Sequence, residues 1–140
     1  MTNPDPELKA QFEVAGDALR RGVREALRIP TRNPIPRTAY IVATQVLSER
    51  GRQDVQWDEQ NHANGTGLPV YEHAARRYRD QTARNAASGV LTWRDVLLEE
   101  VYEALAEADP AKLRTELVQV AAVAVAWIEA IDRRTAQEGK

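Results

Sequence analysis

Two stretches of helical apolar periodicity, residues 92–108 and 109–137, meet at Asp109-Pro110 with almost no chain between them. Aspartate caps a helix start because its carboxylate accepts the free N–H groups of the first turn. Proline suits the next position, where no N–H partner is needed and φ is already helical. A helix therefore begins at Asp109-Pro110, and so short a connection makes it the antiparallel neighbour of the helix before it. The other boundaries are chemically marked as well. Ser88-Gly89 stops the preceding helix, and Thr92 followed by Asp95 reads as a capping box.

The rest of the chain reads as helical too. Its 140 residues, 43% hydrophobic, suit a single core, and no β-type alternation appears. Residues 5–28 carry Leu8, Phe12, Ala15, Leu19, Val23 and Ala26 at helical spacing. Arg20, Arg24 and Arg28 form a second ridge on that helix, and with Asp17 and Glu25 in pairing range it reads as a solvated face. Pro30, Pro34 and Pro36 then forbid a continuous helix. The expected organisation is an amphipathic N-terminal helix (1–29), a proline-rich linker (30–37) and one helical domain (38–140). Within that domain a helix is expected over 38–60, with Tyr40, Ala43, Val46 and Leu47 on its packed side. Turn chemistry fills 61–69. A polar helix over 70–87 should bury only Tyr71, Ala74, Ala75 and Tyr78, and Trp93 and Trp127 read as core. The fold class is thus an all-α bundle built around an antiparallel helix hairpin and preceded by an extra helix.

Composition narrows the chemistry. The net charge of −2 gives no basic footprint for nucleic acid. Without cysteine there is no disulfide, thiolate metal site or cysteine nucleophile, and His62 and His73 alone cannot build a histidine metal site. Any metal would be held by oxygen. The longest apolar run, Leu117 to Ile128, is broken only by Gln119 and is too short to span a bilayer, so it reads as a buried helix and no membrane partner is expected. The first thirty residues lack a basic start followed by an apolar run, which predicts a cytoplasmic protein.

Acidic residues gather around the hairpin. Glu100 and Glu103 lie three apart on the first helix, and Glu116 and Gln119 three apart on the second, so each pair shares a helix face. Glu103 and Glu116 are equally distant from the Asp109-Pro110 turn, as are Glu100 and Gln119, and all four side chains can converge. Glu116 directly precedes the apolar run, where an uncompensated carboxylate is costly. Three carboxylates in one inter-helix space repel unless protonated, paired with arginine or bridged by a cation. A hard divalent ion such as Mg²⁺ meets that need. The competing account is of ordinary surface glutamates paired with Arg94 or Lys112. A second pair, Glu129 and Asp132, lies thirteen residues beyond Glu116 and so roughly 220° around the helix, facing elsewhere.

Glu99-Glu100-Val101-Tyr102-Glu103, a spacer of twelve residues and Glu116-Leu117-Val118-Gln119 resemble the EExxE and ExxD signature of the all-α nucleotide pyrophosphohydrolases, the MazG-like and dimeric dUTPase-like group. The resemblance covers residues 92–134. It implies Mg²⁺-dependent hydrolysis of a (deoxy)nucleoside triphosphate to the monophosphate and pyrophosphate, with Mn²⁺ as an alternative ion. Carried over by position, the metal ligands are Glu100, Glu103 and Glu116, with Gln119 in the fourth place. An amide oxygen can coordinate a hard cation but brings no charge, leaving three carboxylates where the family pattern has four. Glu99 is the nearest candidate to orient or deprotonate the attacking water.

A nucleotide site also needs groups for base and phosphate. Trp57 can stack on a base, Arg52 can meet phosphate, and Gln53, Asn61 and His62 offer base-edge hydrogen bonds. The same segment equally reads as a helix end anchored by a tryptophan. The expected partners are a nucleotide substrate and further copies of the chain, as a dimer or tetramer, since the apolar second helix needs more cover than so short a chain supplies. The alternative function is a catalytically weak relative that binds nucleotide or protein through the same bundle.

Overall fold

The computed structural model describes residues 35–139 and contains four helices: α1 (Arg37–Trp57), α2 (Pro69–Ala87), α3 (Trp93–Ala106) and α4 (Pro110–Glu138). No strand occurs among the described residues, so the fold is all-α. The expected N-terminal helix, its arginine ridge and most of the proline-rich linker lie outside the described residues.

Helix starts follow the expected chemistry. The Asp109 carboxylate accepts the backbone N–H of Ala111 at 2.9 Å and of Lys112 at 3.0 Å, with Pro110 opening α4. At α3 the capping box is complete: the Thr92 hydroxyl accepts the Asp95 N–H at 3.3 Å, and Asp95 Oδ2 accepts the Thr92 N–H at 3.1 Å. That carboxylate, only 3% exposed, also accepts the Thr92 hydroxyl at 2.6 Å and the Asn85 amide at 3.0 Å. Asp95 therefore caps α3 and fastens it to α2.

Side-chain pairs fix the helix directions. Tyr78 stacks on Tyr102 with ring centres 4.6 Å apart, and Asn85 reaches Asp95, so α2 and α3 run antiparallel. Trp93 stacks on Trp127 at 6.4 Å, at the end of the α3–α4 hairpin away from the turn, so α3 and α4 are antiparallel as well. Among the described residues α3 packs on both α2 and α4, whereas α2 and α4 do not pack on each other. These three helices form an open layer with α3 in the middle. Beyond the first residue pair, α3 is accordingly buried or half-buried throughout.

The loop from α1 to α2 is pinned at one point. The Gly67 N–H donates to the Leu105 carbonyl at 2.9 Å, near the end of α3. Gly67 has φ +78°, and a Cβ placed there would sit 2.7 Å from the Ala108 Cβ. Only glycine permits this conformation and this approach together.

Two packing expectations need correction. On α1, Tyr40, Val46 and Leu47 are 50%, 47% and 61% exposed, and the buried residue is Val42 at 1%. Helix α1 packs on α4 alone, and its first turn is tied there by a hydrogen bond from the Thr38 hydroxyl to the Glu129 carboxylate. From Thr44 onward α1 is exposed except at Gln53. Periodicity marks an apolar face but cannot supply something for it to pack against. The run from Leu117 to Ile128 is likewise only half covered. Leu113 and Ala130 are buried, but Leu117 and Val118 are 52% and 55% exposed, because α3 covers one side of α4 and α1 packs on it only through its first turns.

Candidate metal centre

The hairpin brings Glu100, Glu103 and Glu116 together, with one carboxylate oxygen of each within 4.8 Å of the others. All three are half-buried. Capping fixes where α3 and α4 start, the short turn sets their relative register, and the three-residue spacing of Glu100 and Glu103 directs both side chains to one face. The convergence read from equal distances to the turn is therefore present for the three carboxylates.

Each carboxylate has a different environment. Glu103 Oε1 accepts two hydrogen bonds from Arg79 of α2, at 2.9 Å from Nε and 2.5 Å from Nη2. That contact raises the Arg79 pKa further, with a smaller contribution from the Glu99 charge. Glu116 Oε2 accepts the Gln119 amide at 2.8 Å. Glu100 has neither kind of partner: its Oε2 is buried with no hydrogen bond. Burial first, then the charges of Glu103, Glu99 and Glu116, push its carboxyl above the ordinary glutamate range.

Gln119 joins the cluster through its amide nitrogen, donated to Glu116, and its side chain is exposed. Coordination by its oxygen would require the amide to turn over. Glu99 is half-buried on the same helix, beside the cluster. Glu129 bonds to Thr38 and stays apart from these carboxylates, as the helical angle predicted. Arg94 pairs with Asp95 and not with the glutamates of the cluster.

Arg79 was not among the expected site residues. It lines a cavity of about 230 Å³ together with Ala75, Glu103, Ala106, Glu107 and Glu116, drawn from all three helices of the layer. Its place was nevertheless legible. The connection from α2 to α3, residues 88–92, is nearly as short as the one at Asp109; Tyr78 and Tyr102 are equally distant from its middle, and Arg79 and Glu103 each follow a member of that pair by one residue.

The five residues expected to bind substrate are spread along the end of α1 and the following loop. The Arg52 guanidinium is held by Glu49 at 2.6 and 2.8 Å, and the Gln53 amide also reaches Glu49, at 3.2 Å. Asn61 bonds to Glu59 at 3.0 Å, Trp57 is 52% exposed and His62 is exposed. None of the five lines the acidic cavity. The same loop does contribute Asn64 and Thr66 to a second cavity of about 220 Å³, walled by Val101, Leu105, Leu113 and Leu117 of the hairpin. That cavity lies on a neighbouring face of α3, since Val101 follows Glu100 by one residue and hence by about 100°.

Comparison of the chain with protein-family models, with curated proteins and with solved structures yields no match.

Proposed function

We propose that this protein is a divalent-cation-dependent nucleotide pyrophosphohydrolase, cleaving a (deoxy)nucleoside triphosphate to the monophosphate and pyrophosphate. The observation that carries the reading is the buried, unpartnered Glu100 oxygen inside a three-carboxylate cluster. A buried polar atom without a partner is costly, and a second and third carboxylate beside it add repulsion. Such an arrangement is expected where a cation completes it.

The residues present fit Mg²⁺ or Mn²⁺. One carboxylate oxygen of each of the three glutamates lies within 4.8 Å of the others, close enough for a hard, oxygen-seeking ion to draw them together. Glu100, Glu103 and Glu116 would hold the ion, with Gln119 as a neutral fourth ligand if its amide turns over. Bound there, the ion supplies charge neutralisation for phosphate oxygens and their leaving group. The chain's own groups would divide the remaining work. Glu99 would accept a proton from the water that forms the new P–O bond as the bond to pyrophosphate breaks. Arg79, in the same cavity, would meet phosphate oxygens. The reading includes a nucleotide partner and assembly with further copies of the chain. Among the described residues no helix is long and apolar enough to cross a membrane.

One observation favours a noncatalytic binding module. Arg79 and the Gln119 amide already hold one oxygen each of Glu103 and Glu116 without any ion. The test is a panel of nucleotides with Mg²⁺ or Mn²⁺, assayed for pyrophosphate release by wild type, Glu103→Gln and Gln119→Asp. Release that Glu103→Gln abolishes supports the enzyme. No release from the folded wild type, with activity appearing only in Gln119→Asp, would replace it with the binding module.

A further inference from the structure

The loop between α1 and α2 carries a dipeptide whose chemistry the acidic cluster does not use. Asn64-Gly65 lies in its exposed, non-helical part. Among the described residues the Gly65 N–H has no backbone partner. Gly65 has φ +66°, and a Cβ built there would meet no atom within 4 Å. The other two asparagines among the described residues are held. Asn61 donates to Glu59 at 3.0 Å, and Asn85 donates to the buried Asp95 at 3.0 Å. Each is also followed by a residue with a side chain, His62 or Ala86.

We infer that Asn64-Gly65 is a site of self-modification, where Asn64 becomes aspartate or isoaspartate and places a negative charge at the mouth of the apolar cavity. The Gly65 nitrogen, having lost its proton to solvent, attacks the side-chain carbonyl carbon of Asn64. A C–N bond forms, the bond to the side-chain nitrogen breaks, and that nitrogen leaves as ammonia after taking up a proton. Water then opens the resulting succinimide ring, and no oxidant or reductant is needed. Addition at the side-chain carbonyl gives aspartate, and addition at the backbone carbonyl gives isoaspartate. Glycine presents no Cβ to obstruct ring closure, the Gly65 N–H is not committed to a helix or strand, and exposure admits water. The consequence lies in the cavity that Asn64 and Thr66 wall together with Val101, Leu105 and Leu113. A carboxylate at that edge disfavours burial of the loop against apolar walls. Isoaspartate also adds a methylene to the backbone three residues before Gly67, whose N–H is bonded to Leu105 and whose Cα abuts Ala108. So close an approach cannot absorb the added length, and the bond to Leu105 loosens.

The test incubates the full folded chain in neutral buffer and follows the tryptic peptide of residues 53–76 by tandem mass spectrometry. That peptide holds both Asn61 and Asn64, so Asn61 is an internal control. Asn64 is expected to exchange its NH₂ for OH, a gain of one mass unit, while Asn61 stays unchanged. Carboxyl methylation by a protein isoaspartate methyltransferase should reveal the isoaspartyl product. The rate should rise about tenfold per pH unit, because the attacking nitrogen must first lose its proton. It should lie within about tenfold of the rate in the free peptide, since an exposed loop residue needs little opening. In the isoaspartyl form, separated by ion exchange, the Gly67 amide should exchange its hydrogen at least about tenfold faster than in the unmodified chain. A folded chain that keeps Asn64 intact while the free peptide loses its amide overturns the inference. So does modification of Asn61 at an equal rate, and unchanged exchange at Gly67 overturns the link to the cavity.

Discussion

A carboxylate buried without a partner destabilises the protein that carries it. The Glu100 carboxyl is held above its ordinary range mainly by burial, so the folded protein binds its proton more tightly than the unfolded chain does. Stability therefore falls as pH rises from the ordinary glutamate range through the raised value, and above it the full cost remains. Glu100→Gln removes that cost. It should raise the melting temperature in metal-free buffer at neutral pH and abolish the further rise that Mn²⁺ gives to wild type, both read by differential scanning calorimetry. A lower melting temperature without metal would show that Glu100 is not strained. Arg79 leads to a second prediction at this scale. Because its guanidinium holds Glu103 Oε1 and its positive charge opposes a cation beside it, Arg79→Met should bind Mn²⁺ more tightly than wild type in calorimetric titration. The same variant should raise KM for the nucleotide, whose phosphates lose a partner. Unchanged or weaker Mn²⁺ binding would show that the ion pair does not compete.

Elements were more legible in the sequence than packing. Thr92, Asp95, Asp109 and Pro110 act on backbone groups within three residues of themselves, so their roles need no tertiary knowledge, and α3 and α4 begin where they indicate. The acidic cluster was readable for a related reason, since a turn this short converts sequence distance into spatial register. Val46 and Leu47 mark the opposite case: their spacing identifies a face on α1, but cover depends on what lies beyond the helix. The binding groups assigned to the α1 end failed to converge with the carboxylates for want of any such register constraint. Asp95 yields the prediction proper to this scale. Hydrogen bonds from the Thr92 hydroxyl first, and then from the Asn85 amide, lower its pKa from 3.8 to about 2. An acid depressed in the folded state contributes stability that is complete above its unfolded value and is lost as pH falls through the folded one. Wild type should thus lose stability between about pH 4 and pH 2 through this group. Asp95→Asn should lower the melting temperature at pH 7 and flatten the decline over that window, as acid titration followed by circular dichroism would show. A parallel decline in both proteins would remove Asp95 as a source of the acid sensitivity.

At the scale of the molecule, an open layer is an incomplete solution to burying apolar helices. Stable domains close one layer against another, yet among the described residues the buried apolar set is Val42, Ala75, Ala104, Leu113 and Ala130, three of them alanines. Leu117, Val118, Val46 and Leu47 remain about half exposed or more. The proposed assembly with further copies would add to so thin a core and couple folding to concentration by mass action. If two copies fold and pair together, each tenfold dilution should lower the melting temperature by about 3–5 °C for a domain of this size. A wild-type melting temperature that stays constant across a hundredfold dilution would mean that the described helices hold together without a second copy.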